Sequence, residues 1–296
     1  INPKLAERVR EADLLIVLGD RLSEATSGTY SLVTSPVPRQ KLIHVHPDAL
    51  EIGRVFHPTL GIVSGMMQCM EALVTLPASS AQGAWTEWAG KARQDYESHI
   101  FPGSLSSGVD LAQAITALRE VLPEDAIVCN GAGNYTAWLH RYFKYRGYRT
   151  QLAPVNGAMG YGVPAAVAAK VVHPERVVVA VAGDGCFMMS AQELATARLY
   201  NLNPIFIVVN NGIFGTIRMH QERDYPGRVI GTTLANPDFV TLAESYGAYA
   251  ERVETTEAFR PALERALRQS VASVIELVTD PDVISPSTTI QALRGG

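Results

Sequence analysis

Two short apolar runs, each closed by polar residues, constrain the fold more than any other feature of the sequence. Val177–Ala182 is followed by a Gly-Asp-Gly turn centred on Asp184, and Pro204–Val209 is followed by two asparagines, of which Asn211 is the second. The spacing leaves room for one helix between the runs, as in a unit of two parallel strands joined by a crossover. Both polar side chains should then lie at the carboxyl edge of the sheet, where open α/β sheets bind ligands.

The same alternation of strand and helix patterns runs from residue 109 to the end of the sequence. The predicted helices are Leu111–Val121, Ala137–Phe143, Pro164–Val172, Ala191–Tyr200, Asp238–Tyr246 and Phe259–Gln269. The predicted strands are Ala126–Cys129, Val177–Ala182, Ile205–Val209, Tyr249–Val253 and Ser273–Val278. This order is typical of an α/β fold with a doubly wound, mostly parallel sheet.

The N-terminal part of the sequence predicts a smaller, Rossmann-like α/β unit. Its predicted helices are Lys4–Glu11 and Met66–Val74, and its predicted strands are Asp13–Leu18 and Lys41–His46. Two strands are too few for a self-sufficient parallel sheet, so we interpret the unit as part of a domain. Residues 78–108 have the composition of a linker around one predicted helix, Trp85–Ser98. The predicted division is therefore 1–77, 78–108 and 109–296.

Charge and cysteine content exclude several classes of protein. A formal charge of −4 provides no basic surface for nucleic acid. Three scattered cysteines, Cys69, Cys129 and Cys186, are too few and too irregular for a disulfide framework or a zinc site, which favours a reducing cytoplasm. No apolar run approaches the length of a membrane-spanning helix, about 18 to 20 residues. We interpret Ile1 as a cut inside a longer protein, with removal of only a Met or a short leader as the alternative.

The polar residues after the two runs suit a magnesium ion. Asp184 offers a carboxylate, Asn211 an amide oxygen, and the glycine-rich turn 212–215 a backbone carbonyl. Mg²⁺ prefers a near-octahedral shell of oxygens and usually shares it with water and substrate phosphates. Gly-Asp-Gly and Asn-Asn-Gly are each ordinary turn signals. Their combination at the ends of neighbouring strands is more specific than either alone.

The residues just after the first turn have structural interpretations. Ser190 and Glu193 form a capping-box pattern, so the next helix is expected to begin near Ser190. Glu193 is accordingly interpreted as a helix cap rather than a catalytic acid. Cys186 has no evident base beside it, and we interpret it as a small residue whose backbone donates hydrogen bonds rather than as a nucleophile.

These motifs resemble those of a known family. The Gly-Asp-Gly turn followed by two asparagines resembles the diphosphate and magnesium motif of thiamine diphosphate-dependent enzymes, and the resemblance covers nearly the whole chain. The segment 156–166 (NGAMGYGVPAA) resembles the stretch before this motif in acetolactate synthases and 2-oxo acid decarboxylases. The segment 211–218 (NGIFGTIR) is similar to benzoylformate decarboxylases. The segment 131–138 (GAGNYTAW) resembles the acetolactate synthase loop that meets the diphosphate from the other side.

The resemblance implies a set of residues for the cofactor and its metal. Magnesium would be bound by Asp184, Asn211 and the carbonyl of Ile213. The implied cofactor-binding residues are Asn134, Tyr135, Gly157, Met159, Gly183, Asp184, Gly185, Cys186, Asn211, Ile213, Phe214 and Gly215. Met159 would lie under the bent cofactor, with simple core packing as the alternative.

The resemblance also implies what this chain lacks. In this family a glutamate from a separate pyrimidine-binding domain activates the cofactor across a dimer interface, and no part of this sequence resembles that domain. The first 77 residues resemble only the second half of the family's central domain. We therefore expect the chain alone to be catalytically incompetent, and we name no catalytic residue.

A second cofactor, FAD, is bound by the central domain of acetolactate synthases, but FAD binding is not expected here. Gly19 and Arg21 persist in the corresponding run. Ser23, Ala25 and Gly65, however, stand where the resemblance leads us to expect charged residues. The expected cofactors are therefore thiamine diphosphate and Mg²⁺.

The implied function is thiamine diphosphate- and Mg²⁺-dependent decarboxylation of a 2-oxo acid, carboligation, or both. The implied assembly is a homodimer or homotetramer formed through the cofactor-binding interface, with no nucleic acid or membrane as partner. Residues 217–230 are expected to form a loop beside the substrate entrance. There His220 either orients a substrate carboxylate or is simply an exposed histidine.

Two other functions are compatible with parts of the sequence. A Rossmann-type dehydrogenase is weakly supported, because no second glycine follows Gly19 in the way that the dinucleotide-binding motif requires. A non-catalytic or regulatory nucleotide-binding subunit that kept the fold is compatible with a missing activating glutamate. The intact pair of Asp184 and Asn211 argues against lost metal binding.

Overall fold

The computed structural model describes residues 2–77, 83, 85–102 and 108–295. The chain forms two compact units, Ile1–Phe101 and Pro102–Gly296. Of the predicted linker, residues 78–82, 84 and 103–107 lie outside the described residues. The predicted three-part division therefore stays a prediction. None of the helices in the described ranges has the length and apolar character needed to cross a membrane.

The N-terminal unit contains one small parallel sheet. Its helices are α1 (Pro3–Glu11), α2 (Met66–Val74) and α3 (Thr86–His99), and its strands are β1 (Leu14–Leu18), β2 (Lys41–His46) and β3 (Leu60–Val63). The strand order is β1-β2-β3, and both pairings are parallel. Strand β3 has no counterpart in the sequence prediction, because it is only 4 residues long and its pairing with β2 is a tertiary contact.

Helix α3 lies inside the stretch that composition predicts to be a linker, yet it packs against α1. The guanidinium of Arg8 donates to Asp95 Oδ2 through Nε at 2.8 Å and Nη2 at 2.6 Å. Asn2 Nδ2 donates to the backbone carbonyl of Asp95 at 3.2 Å. Asn2 also caps α1, since its side chain accepts from the backbone N–H of Lys4. These contacts make α3 part of the N-terminal unit.

One edge strand of this small sheet carries exposed apolar side chains. Leu14, Ile16 and Leu18 of β1 are 42, 58 and 41 % exposed. The buried core of the unit is built around Val33 and Phe56. Parallel sheets are ordinarily covered on both faces. The exposed side chains therefore agree with a sheet that has few strands.

The C-terminal unit is a larger doubly wound α/β domain. Its helices are α4 (Leu111–Val121), α5 (Tyr135–Tyr142), α6 (Gly162–Val172), α7 (Asp184–Met188), α8 (Glu193–Leu199), α9 (Gly215–Asp224), α10 (Phe239–Ser245), α11 (Thr256–Ala266) and α12 (Ile290–Gly295). Its strands are β4 (Ile127–Asn130), β5 (Gln151–Leu152), β6 (Val178–Gly183), β7 (Ile205–Asn210), β8 (Tyr249–Val253), β9 (Ser273–Val278), β10 (Val283–Ser285) and β11 (Thr288–Thr289). The first six of these strands form one sheet, and β10 and β11 form an antiparallel pair.

The large sheet has the order β5-β4-β6-β7-β9-β8, and every pairing in it is parallel. This confirms the predicted α/β class. Strands β6, β7 and β9 are buried along almost their whole length, and β6 and β7 accordingly form apolar runs in the sequence, whereas β9 also carries Ser273 and Glu276. The chain passes from β4 to β5 on one side of β4 and returns to β6 on the other. The loops after β4 and β6 therefore meet at a topological switch point.

The structure corrects the sequence prediction at two short helices near the site. Residues 217–230, predicted to be a loop, are helical as far as Asp224 because they belong to α9. The sequence of α9 carries no apolar stripe, and the helix is held by packing against α12. The predicted capping box is wrong: α8 begins at Glu193, and Ser190 Oγ instead donates to the carbonyl of Gly160 at 2.7 Å.

Candidate functional site

Three loops at the carboxyl edge of the large sheet enclose a cleft with about 480 Å³ of open space. The loops follow β4, β6 and β7, and Met159 lines the cleft from the segment that precedes α6. Eleven of the twelve residues that the sequence implies for the cofactor line this cleft. These are Asn134, Tyr135, Met159, Gly183, Asp184, Gly185, Cys186, Asn211, Ile213, Phe214 and Gly215. The twelfth, Gly157, is exposed and does not line it.

Asp184 is a buried carboxylate, with only 3 % of its surface exposed. Its Oδ1 accepts from the backbone N–H of Gly185 at 2.8 Å. Its Oδ2 accepts from the backbone N–H of Gly212 and from Asn236 Nδ2, both at 2.8 Å. Burial raises the pKa of Asp184, and these hydrogen bonds oppose the rise because they favour the ionised form.

The hydrogen-bond donors that the described part of the chain offers to this carboxylate carry no charge. Among the residues that the structure describes, Asp184 forms no ion pair, and the donors that reach it are neutral amides. A buried charge is costly unless it is paired or coordinates a metal. The carboxylate therefore has the surroundings expected of a metal ligand.

The loop after β7 places further oxygens beside Asp184. Asn211 lies on the cleft wall, and its Oδ1 accepts from the backbone N–H of Ile213 at 3.2 Å. Two backbone hydrogen bonds hold this loop. The N–H of Phe214 donates to the carbonyl of Thr232 at 2.9 Å, and the N–H of Leu234 donates to the carbonyl of Gly212 at 2.8 Å. A carboxylate and an amide oxygen on one cleft wall are the ligand types that a hard divalent cation prefers.

The side chain of Ile213 anchors the same loop from within. It is 9 % exposed and packs in a small cluster with Ile284 and Ile290, which come from the C-terminal part of the unit. The isoleucine side chain is thus committed to packing. Only the backbone of this residue is left to serve a ligand in the cleft.

Glycines allow the loops to approach one another closely. A Cβ atom on Gly185 would lie 2.5 Å from Cε1 of Phe214, and one on Gly131 would lie 2.4 Å from Sγ of Cys186. A Cβ atom on Gly183 would lie 3.1 Å from Cδ1 of Tyr135. Any larger residue would displace cleft-lining side chains, so this narrow cradle depends on glycine.

The loop after β4 supplies the opposite wall. Asn134 Nδ2 donates to the carbonyl of Ile284 at 2.8 Å, and Asn134 Oδ1 accepts from Thr216 Oγ1 at 2.8 Å. Tyr135 turns its hydroxyl inward, where it accepts from the backbone N–H of Gly131 at 3.0 Å. Burial raises the pKa of Tyr135 far above its usual range, so the phenol stays neutral. The side chains of this wall are therefore held by hydrogen bonds within the unit.

Cys186 and Met159 have structural surroundings within the cleft wall. Cys186 Sγ is 3.2 Å from the backbone N of Gly160 and 3.5 Å from the hydroxyl of Tyr135. These contacts hold a 2 % exposed side chain in place. Met159 is half-buried, lines the cleft and packs against the hydrophobic core, and its place under the cofactor stays a prediction.

Two polar residues at the site have no signal in the sequence. Asn236 contacts Asp184 although it lies far along the chain, in a stretch that looks like an ordinary turn before Pro237. Thr216 bonds to Asn134 from the first turn of α9. The fold alone brings Asn236 and Thr216 to residues that are distant in the sequence.

His220, which the sequence offers as a candidate to orient a substrate carboxylate, is an exposed residue of α9.

Comparison with known families gives two matches in separate parts of the chain. The model described as "Thiamine pyrophosphate enzyme, C-terminal TPP binding domain" matches residues 131–277. The model described as "Thiamine pyrophosphate enzyme, central domain" matches residues 1–73. Thiamine pyrophosphate is another name for thiamine diphosphate. The two matches together cover most of the chain and include the whole cleft.

Individual relatives agree with these matches. The chain is 35 % identical to the acetolactate synthase large subunit of Corynebacterium glutamicum, over 87 % of this chain and 42 % of that protein. It is 32 % identical to the chloroplastic acetolactate synthase 1 of Zea mays, over 91 % of this chain and 44 % of that protein. The chain thus spans less than half the length of these curated relatives.

A solved structure is also similar. The thiamine diphosphate-dependent 4-hydroxybenzoylformate decarboxylase of Rhodococcus jostii RHA1 superposes with a TM-score of 0.72 at 26 % identity, over 90 % of this chain and 49 % of that chain. Sequence and structure comparisons therefore agree on the family. The chain belongs to the thiamine diphosphate-dependent enzymes and corresponds to their central and C-terminal domains.

Proposed function

We propose that this chain binds the diphosphate of thiamine diphosphate through Mg²⁺, and that the protein decarboxylates a 2-oxo acid, ligates the product to an acceptor, or does both. The observation that carries the proposal is the buried carboxylate of Asp184, which has no cationic partner among the described residues and lies in a cleft with the amide of Asn211. Thiamine diphosphate, when bound, supplies the electron sink for decarboxylation.

The residues of the cleft offer the chemical groups that Mg²⁺ and a diphosphate require. In the proposal Asp184, Asn211 and the carbonyl of Ile213 hold Mg²⁺, which accepts a carboxylate and neutral oxygens together with phosphate oxygens. Gly183, Gly185 and Gly215 line the cleft, so a phosphate bound there would meet a wall without side chains at these positions. The apolar side chain of Met159 offers a surface for the organic part of the cofactor.

The whole protein's activity is proposed for a larger assembly than this chain. The relatives of known name are more than twice as long as the part that this chain matches. We propose that a pyrimidine-binding domain, in the same polypeptide or in a separate one, supplies the activating glutamate. We further propose a cytoplasmic homodimer or homotetramer joined through the cofactor-binding interface, and a central domain without FAD.

Calorimetric titration of the full-length protein with thiamine diphosphate, with and without Mg²⁺, tests the cofactor proposal. We expect binding that requires Mg²⁺ and that disappears in Asp184→Ala. Asp224→Ala is a matched control, because Asp224 is an exposed carboxylate of α9 and does not line the cleft. Binding that is independent of Mg²⁺, or that survives in Asp184→Ala, contradicts the proposal.

The reaction is tested by supplying the Mg²⁺-loaded protein with a series of 2-oxo acids and measuring carbon dioxide release. The series includes 4-hydroxybenzoylformate, since the structurally similar enzyme is named for that substrate. We expect release from at least one member of the series. Tight, Mg²⁺-dependent cofactor binding without any release would favour the alternative of a non-catalytic subunit that retains the fold.

A further inference from the structure

A chain of polar side chains leads from Asp184 into the sheet. Asn236 Nδ2 donates to Asp184 Oδ2 at 2.8 Å and to Asn210 Oδ1 at 2.9 Å. Asn210 Nδ2 donates to Glu276 Oε1 at 2.7 Å. Glu276 Oε2 accepts from Arg252 Nε at 2.8 Å. We refer to Asn236, Asn210 and Glu276 as the polar relay.

The relay ends at a buried charge on β9, the strand next to the edge strand β8. Glu276 is 2 % exposed and lies on β9, which pairs with β7 on one side and β8 on the other. The partner from β8, Arg252, occupies one carboxylate oxygen and leaves the other to Asn210. The position of Glu276 is therefore set by the sheet and by an ion pair, independently of the cleft.

The hydrogen bonds allow only one orientation of each amide in the relay. A carboxylate accepts hydrogen bonds and donates none, so Asn210 must present its NH₂ group to Glu276. Its oxygen then faces Asn236 and also accepts from the backbone N–H of Gly212 at 3.2 Å. Asn236 in turn must present its NH₂ group to that oxygen and to Asp184. A flipped amide at either position would bring two acceptors together and leave buried groups unpaired.

Hydrogen bonds hold both oxygens of Asp184, and the relay supplies one of the two that reach Oδ2. Gly185 N holds Oδ1, while Gly212 N and Asn236 hold Oδ2. Neither Asn236 nor Glu276 lines the cleft, so neither would touch a bound cofactor or metal. Partners behind a ligating carboxylate set its orientation, and losing one typically weakens metal binding about 10- to 100-fold.

We infer that Asn236 and Glu276 are positioning residues for the metal ligand Asp184. Glu276 orients the amide of Asn210, Asn210 orients Asn236, and Asn236 holds the carboxylate in the position from which it meets Mg²⁺. This inference rests on the proposed function, because it assumes that Asp184 binds Mg²⁺. It assigns a role in metal affinity to a glutamate that lies inside the sheet.

The test measures Mg²⁺ affinity in the full-length protein at saturating thiamine diphosphate. We expect Asn236→Ala and Glu276→Leu each to weaken Mg²⁺ binding about 10- to 100-fold. Turnover at saturating Mg²⁺ should recover most of its wild-type value, since the reacting groups are untouched. The variants should therefore change the concentration of Mg²⁺ required more than the maximal rate.

Glu251→Leu is the matched control. Glu251 is also an ion-paired strand glutamate, bonded to Arg265, but the hydrogen bonds of the described residues do not connect it to Asp184. It should lose stability without losing Mg²⁺ affinity. Thermal unfolding of each variant separates a general loss of structure from a specific loss of metal binding. If Glu276→Leu does not fold, Asn236→Ala, which changes a half-buried loop residue, carries the test.

The outcomes distinguish this inference from the proposed function. Absence of Mg²⁺-dependent cofactor binding in the wild-type protein would overturn both. Wild-type binding that is lost in Asp184→Ala, together with Mg²⁺ affinities within twofold of wild type in Asn236→Ala and a folded Glu276→Leu, would overturn the positioning role alone. A loss of turnover that saturating Mg²⁺ does not restore would also contradict it.

Discussion

Gly162 occupies a position where the helix and the sheet are in direct backbone contact. It is the first residue of α6, and a Cβ atom added to it would lie 2.9 Å from both the carbonyl carbon of Asn130 and the amide nitrogen of Gly131. Ordinary van der Waals contact begins near 3.4 Å. Because both neighbours are backbone atoms at the end of β4, no side-chain rotation can relieve the clash. The helix or the strand end must move by a few tenths of an ångström.

Gly162→Ala should therefore destabilise the C-terminal unit, although helix propensity favours alanine. Overpacking costs about 1–3 kcal/mol, and the propensity gain of alanine over glycine is at most about 1 kcal/mol. With the full propensity gain, the net loss should be up to about 2 kcal/mol. In a unit of this size a loss of about 2 kcal/mol lowers the Tm by about 4–8 °C.

Tryptophan fluorescence can follow this unit separately. Of the three tryptophans in the chain, Trp138 is buried in the C-terminal unit, whereas Trp85 and Trp88 are exposed in the N-terminal unit. Replacing Trp85 and Trp88 by Phe leaves Trp138 as the reporter for thermal and urea unfolding. Gly162→Ala is then compared with its parent protein in this background.

Ala168→Gly is the matched control on the same helix. Ala168 is exposed, so its replacement tests propensity without packing and should cost about 0.5–1 kcal/mol. If Gly162→Ala raises the Tm while Ala168→Gly lowers it, propensity governs both positions. The steric account of the contact between α6 and β4 would then be refuted.

Three further predictions concern single side chains of the C-terminal unit. Hydrogen bonds from Arg294 and from the backbone N–H of Gly227 lower the pKa of Glu222 to about 2, so its contribution to stability is present above pH 4.5 and is lost as the pH falls toward 2. The urea midpoint should therefore fall over that pH range more steeply in the wild-type protein than in Glu222→Gln. An equal dependence of the midpoint on pH in both proteins would contradict this. Burial raises the pKa of the Cys129 thiol to about 12, so mass spectrometry should find it alkylated by iodoacetamide only after unfolding; rapid native labelling would refute this. Asp110 caps α4 because its side chain accepts hydrogen bonds from two backbone N–H groups. Asp110→Ala should therefore lower the free energy of urea unfolding by about 0.5–2 kcal/mol, and Asp110→Asn should lower it much less. Equal losses in the two variants would exclude capping.

The elements that the sequence predicts well are those with a strong local pattern. Helix α4 was predicted with its observed bounds because an apolar stripe follows a capping aspartate. Strands β6, β7 and β9 agree with their predicted bounds within one residue because each is rich in β-branched or other apolar residues. Helix α9 has no apolar stripe and was missed. Its helical state depends on contact with α12, which local patterns do not contain.

The candidate site divides in the same way. Asp184 and Asn211 were predicted to share one edge of the sheet, because parallel strands joined by a crossover end at the same edge, and both line the cleft. Asn236 was not predicted, because its place beside Asp184 depends on the path of the chain after α9. The sequence pattern predicts that Ser190 caps a helix, whereas in the structure its hydroxyl donates to the carbonyl of Gly160.

By itself, the sequence determined the α/β class, the edge of the sheet where ligands would bind and the residue types offered there. These properties follow from hydrophobic periodicity and chain direction, which are local. Tertiary structure alone decided that Asp184 is buried, that no cation among the described residues pairs with it, and that Gly212 and Asn236 hold its Oδ2. It alone connected that carboxylate to Glu276 on β9. Burial and hydrogen-bond partners depend on contacts between segments that are distant in the chain, and a local sequence pattern does not contain those contacts.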